Sequence, residues 1–143
     1  MKDRRLSCPS AQPDSPESVV FGIVEGTVDA PRMTPLAKTQ AVSPEILALA
    51  TPVNPAEVFR FSAPCAECSC KHFQGGECSL VGRIVRNLPM VSDRLRPCPI
   101  RPTCRWFAQE GRAACLRCPQ IVTESYDSSD EFRDAAMPPE GLQ

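Results

Sequence analysis

The sequence predicts a small α+β protein built on a loop-rich, metal-stabilised module with two short helices and few strands, with disordered termini. Three observations lead to this fold class. Proline and glycine are frequent, at 16 and 7 of 143 residues, which limits the length of helices and strands. Aromatic residues make up only 6 %, so the hydrophobic core needs another source of stability. Eight of the nine cysteines lie between Cys65 and Cys118, and metal-bound thiolates supply such stability.

Composition divides the chain into four segments. Residues 1–18 are rich in proline, serine and charge, so we expect a disordered N-terminus in which Cys8 is a free, exposed thiol. Residues 19–60 read as a partly ordered docking segment. Residues 61–123 form the cysteine-rich metal-binding module, and residues 124–143 an acidic disordered tail.

The docking segment is predicted to contain one strand and one short helix. Residues 19–24 are β-branched or aromatic and predict the strand. Ser43 as N-cap and Pro44 as first helical residue predict the helix over 44–50. Glycine and two prolines are expected to break the chain between these elements. Residues 58–61 follow a second helix-start signal but alternate in polarity, so a helical turn and a strand paired with 19–24 both stay open.

The metal-binding module is predicted to contain two helices. Apolar residues over 79–88 recur on one helical face, and the proline that follows ends the helix. Pro102 suits a first helical position and Gly111 a C-terminal cap, which predicts a second helix over 103–110. Residues 121–123 are β-branched and predict a short closing strand.

The clustered cysteines form two sets of four, and four thiolates complete one metal or iron–sulfur site. The predicted metal ligands are Cys65, Cys68, Cys70 and Cys78 in the first set, and Cys98, Cys104, Cys115 and Cys118 in the second. Thiolates are soft ligands that suit zinc, copper(I) and iron–sulfur clusters. Two pairings stay open: each set holds its own centre, or the two Cys-x2-Cys pairs share one centre and the remaining four cysteines another.

Two features of the ligand set favour an iron–sulfur cluster over zinc, with the second set as the cluster site. The ligands are all cysteine, whereas zinc modules often include histidine. The one histidine, His72, is either a replacement ligand or a plain exposed side chain. Cys98 and Cys118 are each followed by proline, as in ferredoxin-type motifs.

A local sequence resemblance points the same way. WhiB-like iron–sulfur proteins contain a stretch, Cys-Pro-Val-Arg-x2-Cys-Leu-x2-Ala, that is similar to one part of this chain. That part reads Cys98-Pro99-Ile100-Arg101-Pro102-Thr103-Cys104-Arg105-Trp106-Phe107-Ala108. The resemblance implies that Cys98 and Cys104 bind a [4Fe–4S] cluster. The chain departs from that family at Leu95, where the family has a further cysteine, and it lacks the Gly-Trp-Gly-Gly turn.

The charge pattern bears on the partner. Residues 60–123 hold ten Lys or Arg against four Asp or Glu. The first interpretation of this excess is compensation of anionic thiolate centres, and the second is binding of nucleic acid. We found no sequence motif of a P-loop, a serine hydrolase or a zinc deaminase, so we expect a non-catalytic protein.

These observations combine into one expected function. The chain is predicted to be a cytoplasmic iron–sulfur protein with one or two [4Fe–4S] clusters. It would transfer electrons or assist maturation of a larger metalloenzyme, with a redox enzyme or metalloenzyme as its protein partner. The alternative is a structural zinc module that binds protein or nucleic acid. We expect no membrane partner, because no stretch approaches the roughly 18 apolar residues of a spanning helix.

Overall fold

The computed structural model describes residues 6–27, 30–67, 70 and 72–121. Its centre is a four-stranded antiparallel sheet with the strand order β1-β4-β2-β3. The strands are β1 (Ser7–Ala11), β2 (Val19–Gly26), β3 (Pro31–Ala41) and β4 (Phe59–Pro64). The fold is therefore small α+β, as the sequence predicts.

Short helices and a hairpin complete the fold. The helices are α1 (Pro44–Ala48), α2 (Pro55–Val58), α3 (Ser79–Asn87), α4 (Arg105–Glu110) and α5 (Arg112–Cys115). The hairpin consists of β5 (Phe73–Gln74) and β6 (Glu77–Cys78), and 3₁₀ turns occur at Arg101–Thr103 and Cys118–Gln120. Within the described part of the chain, no helix has the length and apolar character needed to cross a bilayer.

The start signals in the docking segment have the predicted effect. The Ser43 side chain accepts a hydrogen bond from the Ile46 N–H at 3.2 Å and caps α1. The Asn54 side chain accepts one from the Ala56 N–H at 2.8 Å and caps α2. The open question at residues 58–61 is resolved because α2 ends at Val58 and β4 follows it. As the second interpretation proposed, β4 pairs with β2.

The helices of the module agree with prediction in part. The helix over 79–88 is confirmed as α3. The second helix is confirmed from Arg105 to Glu110, and Gly111 ends it with a φ of 66°. Pro102 lies in the preceding 3₁₀ turn instead of in the helix. Of the predicted closing strand, Ile121 is not in a strand, and residues 122 and 123 lie outside the described residues.

The N-terminal segment contains a strand, so the expected disorder of residues 1–18 is wrong where the structure describes it. β1 pairs antiparallel with β4, and Cys8 stands opposite Ala63. Pro9 and Ala11 are buried by this pairing. Composition misses the strand because its few apolar side chains are small, and cross-strand backbone bonds hold it instead. Residues 1–5 and the predicted acidic tail lie outside the described residues.

β3 runs through two prolines that were expected to break the chain. Pro31 and Pro35 are tolerated because β3 is the last strand of the sheet, where one side of the backbone needs no ladder partner. Pro35 stands opposite Gly22 in β2. A Cβ at Gly22 would overlap the buried Met33 side chain, which would have to move to admit a larger residue.

The sheet carries a hydrophobic core on each face. Val20 belongs to the core that includes Phe61 and lies against α1 and α2. Its neighbour Phe21 belongs to the core that includes Ile84 and Trp106 of the cysteine module. The predicted docking segment and the module therefore share a core, and the boundary placed between residues 60 and 61 falls inside β4.

Arg60 is fully buried on the module side of the sheet and connects three parts of the chain. Its Nε and Nη2 donate to the Pro9 carbonyl in β1 at 3.2 and 2.8 Å. Its Nη1 donates to the carbonyls of Cys118 and Ile121 at 2.9 and 3.1 Å. One side chain thus joins the first strand, the fourth strand and the last described turn.

The guanidinium of Arg60 is balanced by dipoles and aromatic rings. It lies 5.1 Å from the ring centroid of Phe21 and 5.9 Å from that of Trp106. Cation–π contacts of this kind are worth about 2 kcal/mol when desolvated. Among the residues that the structure describes, Arg60 has no carboxylate partner.

We predict that Arg60→Met lowers the free energy of unfolding by about 3 kcal/mol, because it removes this donor from the buried carbonyls of Pro9 and Ile121 at about 1 to 3 kcal/mol each. Urea unfolding followed by the fluorescence of Trp106 measures this. The control is Arg86→Ala at an exposed position, expected to change stability by less than about 0.5 kcal/mol. An Arg60→Met protein as stable as the parent would show that the buried cation is not a stabilising link.

Candidate metal centre

The four cysteines of the second set surround one cavity. Cys98 precedes the first 3₁₀ turn, Cys104 lies between that turn and α4, Cys115 ends α5, and Cys118 begins the second 3₁₀ turn. All four line a cavity of about 40 Å³. A single water needs roughly 10–15 Å³ by this kind of measure, so the space exceeds one water. The structure therefore brings the predicted cluster ligands to a common space.

Apolar side chains form much of the remaining wall of the cavity. Phe21 and Met33 reach it from the sheet, and Trp106 and Phe107 reach it from α4. Trp106 is 2 % exposed and Met33 is 2 % exposed. These groups keep water away from the sulfurs and lower the local dielectric constant.

Burial controls the ionisation of these thiols. It raises the pKa of Cys104 to about 12, and negative charge on Cys118 and Cys98 adds to the rise. Burial also raises the pKa of Cys98, with charge on Cys118 and Cys115 adding to it. Each of these sulfurs thus lies within electrostatic reach of others in the set, and a cation among them would favour their joint ionisation.

N–H groups are directed at the sulfurs and oppose the effect of burial. The backbone N–H groups of Phe107 and Trp106 lower the pKa of Cys104. The Arg101 side chain does the same for Cys115, whose pKa burial raises. The Nη2 of Arg60 donates to the Cys118 sulfur at 3.3 Å. N–H donors of this kind stabilise a thiolate or a metal-bound sulfur.

Positive charge surrounds the cavity. Arg94, Arg96 and Arg101 line it, and no Asp or Glu lines it among the residues that the structure describes. The Arg101 guanidinium also lies 5.7 Å from the Phe107 ring centroid, and its buried Nε has no hydrogen-bond partner within the described part of the chain. With Arg60 beside it, the cavity suits an anionic occupant such as a metal centre held by four thiolates.

The thiols share this space without converging on one point. Among the residues that the structure describes, no three His, Cys, Asp or Glu side chains stand in a group ready to hold a metal ion. The eight described cysteines are free thiols. An ion or cluster would draw the sulfurs inward from these positions.

The first set occupies a separate place. Cys65, Cys70 and Cys78 lie near one another at the end of β4 and beside the hairpin, and charge on Cys70 and Cys65 raises the pKa of Cys78, which burial has already raised. Cys68 lies outside the described residues. Because Cys115 lies with the second set and not with Cys65, the arrangement favours one centre for each set over the interleaved pairing.

The His72 ring contacts an arginine side chain, which the sequence did not predict. Its Nδ1 accepts a hydrogen bond from Nη2 of Arg83 at 2.9 Å. Its backbone N–H donates to the Cys70 sulfur at 3.4 Å. A ligand role for the His72 ring stays a prediction.

Two residues near these thiols, Arg60 and Cys8, were not predicted from the sequence to lie there. The signal for Arg60 was its place between two phenylalanines in an alternating run, where period-two geometry turns it to the opposite face from Phe59 and Phe61. Cys8 gave no such signal, because a strand of small residues resembles a disordered tail in composition.

Comparison with protein-family models, with curated proteins and with solved structures finds no match to this chain. The function therefore has to be argued from the two groups of thiols and the cations around them.

We predict that the metal-free chain loses stability as the pH rises above about 9. Burial raises the pKa of Cys8 from 9.0 to about 11 and that of Cys104 to about 12. Because the folded-state pKa of each thiol lies above its unfolded value, the neutral thiol contributes to the free energy of unfolding. This contribution is complete below pH 9 and is lost as the pH rises through 11 to 12. Urea unfolding at several pH values, with chelator and reductant present, measures this. Equal stability on both sides of pH 9 would contradict it.

Proposed function

We propose that the chain is a non-catalytic iron–sulfur protein whose second cysteine set holds a [4Fe–4S] cluster. The proposed ligands are Cys98, Cys104, Cys115 and Cys118. The observation that carries this proposal is their shared cavity, which arginines line and whose wall, among the described residues, contains no carboxylate. The cluster supplies a site that gains and loses one electron.

The charge balance supports a cluster in this cavity. A [4Fe–4S]²⁺ core with four thiolates carries a net charge of about −2, and reduction adds one more negative charge. The buried Arg60 and the Arg101 beside Cys115 lie where that charge would develop. N–H donors and fixed positive charge raise the reduction potential because they favour the reduced, more negative state.

The surroundings of the cavity support an electron-transfer or accessory role. Arg94 lines the cavity and is exposed, so the site reaches the protein surface at a positively charged point. An acidic surface on a redox enzyme or on an immature metalloenzyme complements this point. Electrostatic attraction would bring such a partner close to the cluster, and the partner would exchange an electron or receive the cluster.

Anaerobic purification or reconstitution with ferrous iron and sulfide tests the proposal. We predict a brown protein with about four iron and four sulfide per chain. Cys104→Ser is expected to lose this cluster, whereas Ser92→Ala, at a lining residue without a thiol, is expected to retain it. Colourless protein with stoichiometric zinc would overturn the iron–sulfur assignment and establish the structural zinc module.

We predict that Arg101→Gln lowers the reduction potential by tens of millivolts. Removing a cation beside Cys115 destabilises the reduced cluster, and about 59 mV corresponds to a tenfold change in a one-electron equilibrium. Redox titration followed by electron paramagnetic resonance measures the shift. The matched control is Arg94→Gln, where solvent screens the exposed charge and the shift is expected to be smaller. Equal shifts for the two variants would contradict a local role for Arg101.

A further inference from the structure

We propose that Cys8 joins Cys65, Cys70 and Cys78 in a second four-thiolate site that holds one thiophilic divalent cation, for which zinc is the probe. This site is separate from the cavity of the proposed cluster and does not depend on it. It gives the N-terminal strand a chemical role that its composition does not suggest. The proposal rests on strand register, hairpin geometry and the donors around the sulfurs.

Strand pairing places two of these cysteines beside one another near the end of the sheet. Cys8 in β1 stands opposite Ala63 in β4. The pairing continues past the end of β4, because the Cys65 N–H donates to the Leu6 carbonyl at 2.9 Å. Cys65 therefore lies diagonally across the ladder from Cys8, next to the Cys8–Ala63 pair. Such diagonal neighbours lie about 7–8 Å apart, which is within reach of a bridging ion.

The hairpin brings the other two cysteines to the same place. Cys78 in β6 stands opposite Phe73 in β5, and the Phe73 N–H donates to the Cys70 carbonyl at 3.1 Å. The thiols are near enough to affect one another, since charge on Cys78, Cys65 and Cys70 adds to the rise that burial causes in the Cys8 pKa. Three separate segments of the chain thus deliver four sulfurs to one region.

The donors around these sulfurs suit bound thiolates. The Arg105 Nε donates to the Cys65 sulfur at 3.1 Å, and the His72 N–H donates to the Cys70 sulfur at 3.4 Å. Arg105 is 9 % exposed, and its guanidinium lies 5.1 Å from the Phe73 ring centroid. A buried cation beside the sulfurs offsets the excess negative charge that four thiolates bring to a divalent ion.

Ion binding is a balanced exchange of protons for metal. Four S–H bonds break, four metal–sulfur bonds form, and four protons pass to solvent, so the centre carries a net charge of about −2. The described thiols are not in ligand positions in the structure, so binding requires the sulfurs to move together around the ion. Closure ties β1 to β4 and to the hairpin, so metal binding stabilises the fold.

Zinc titration of the reduced, metal-free full chain tests the site. Native mass spectrometry counts bound zinc, and cobalt substitution reports thiolate–metal charge transfer. We expect Cys8→Ser to bind one zinc fewer than the parent and Cys8→His to restore that zinc, because imidazole is also a zinc ligand. Cys104→Ser is the matched control and is expected to keep the zinc of the first site. The zinc count at the first site therefore tests this inference even if the second cysteine set holds no iron–sulfur cluster.

Two outcomes would overturn the inference. One is full zinc binding by Cys8→Ser, with the loss falling on Cys68→Ser instead. The other comes from an experiment on the parent chain alone, which serves if Cys8→Ser does not fold. In this experiment, alkylation of each cysteine is mapped by mass spectrometry with and without one equivalent of zinc. Zinc is expected to slow alkylation of Cys8 together with Cys65 and Cys78, and an unchanged rate at Cys8 while the other two become protected would exclude it as a ligand.

Discussion

The buried guanidinium of Arg60 is the interaction on which the rest of the structure depends. A charge removed from water is very unfavourable unless dipoles or opposite charge surround it. Here the carbonyls of Pro9, Cys118 and Ile121 and two aromatic rings surround it, and they come from distant parts of the chain. The strands and turns must therefore assemble together to solvate this cation. The same group contacts the Cys118 sulfur, so the fold and the electrostatics of the cavity share one constraint.

The two groups of thiols are part of the hydrophobic core. Cys78 and Cys104 are each 9 % exposed and pack in the core that contains Trp106. A core of this size, with few aromatic residues, has little reserve stability. If ions bind here, the energy of coordination adds directly to the energy of folding, because an unfolded chain holds no preformed site. Metal uptake and assembly of the sheet would then be one process.

Local signals could be predicted from the sequence, and long-range ones could not. The caps at Ser43 and Asn54, the face of α3 and the end of α4 at Gly111 depend on neighbouring residues, and they agree with the structure. The pairing of β1 with β4 depends on residues far apart, and nothing in the local pattern marks it. The role of Arg60 was hidden for the same reason, since its partners Pro9 and Ile121 become neighbours only in the folded chain.

The order of the strands has a consequence for self-association. The outer side of β1 is covered by the module, because Ser7 bridges to Cys104 and its hydroxyl contacts Thr103. The other edge strand of the sheet is β3, which carries Pro31 and Pro35. A foreign strand needs a regular row of N–H donors to add to a sheet, and these prolines interrupt the row. The prolines that obscure β3 in the sequence thus make the edge around residues 31 to 35 a poor template for an intermolecular strand.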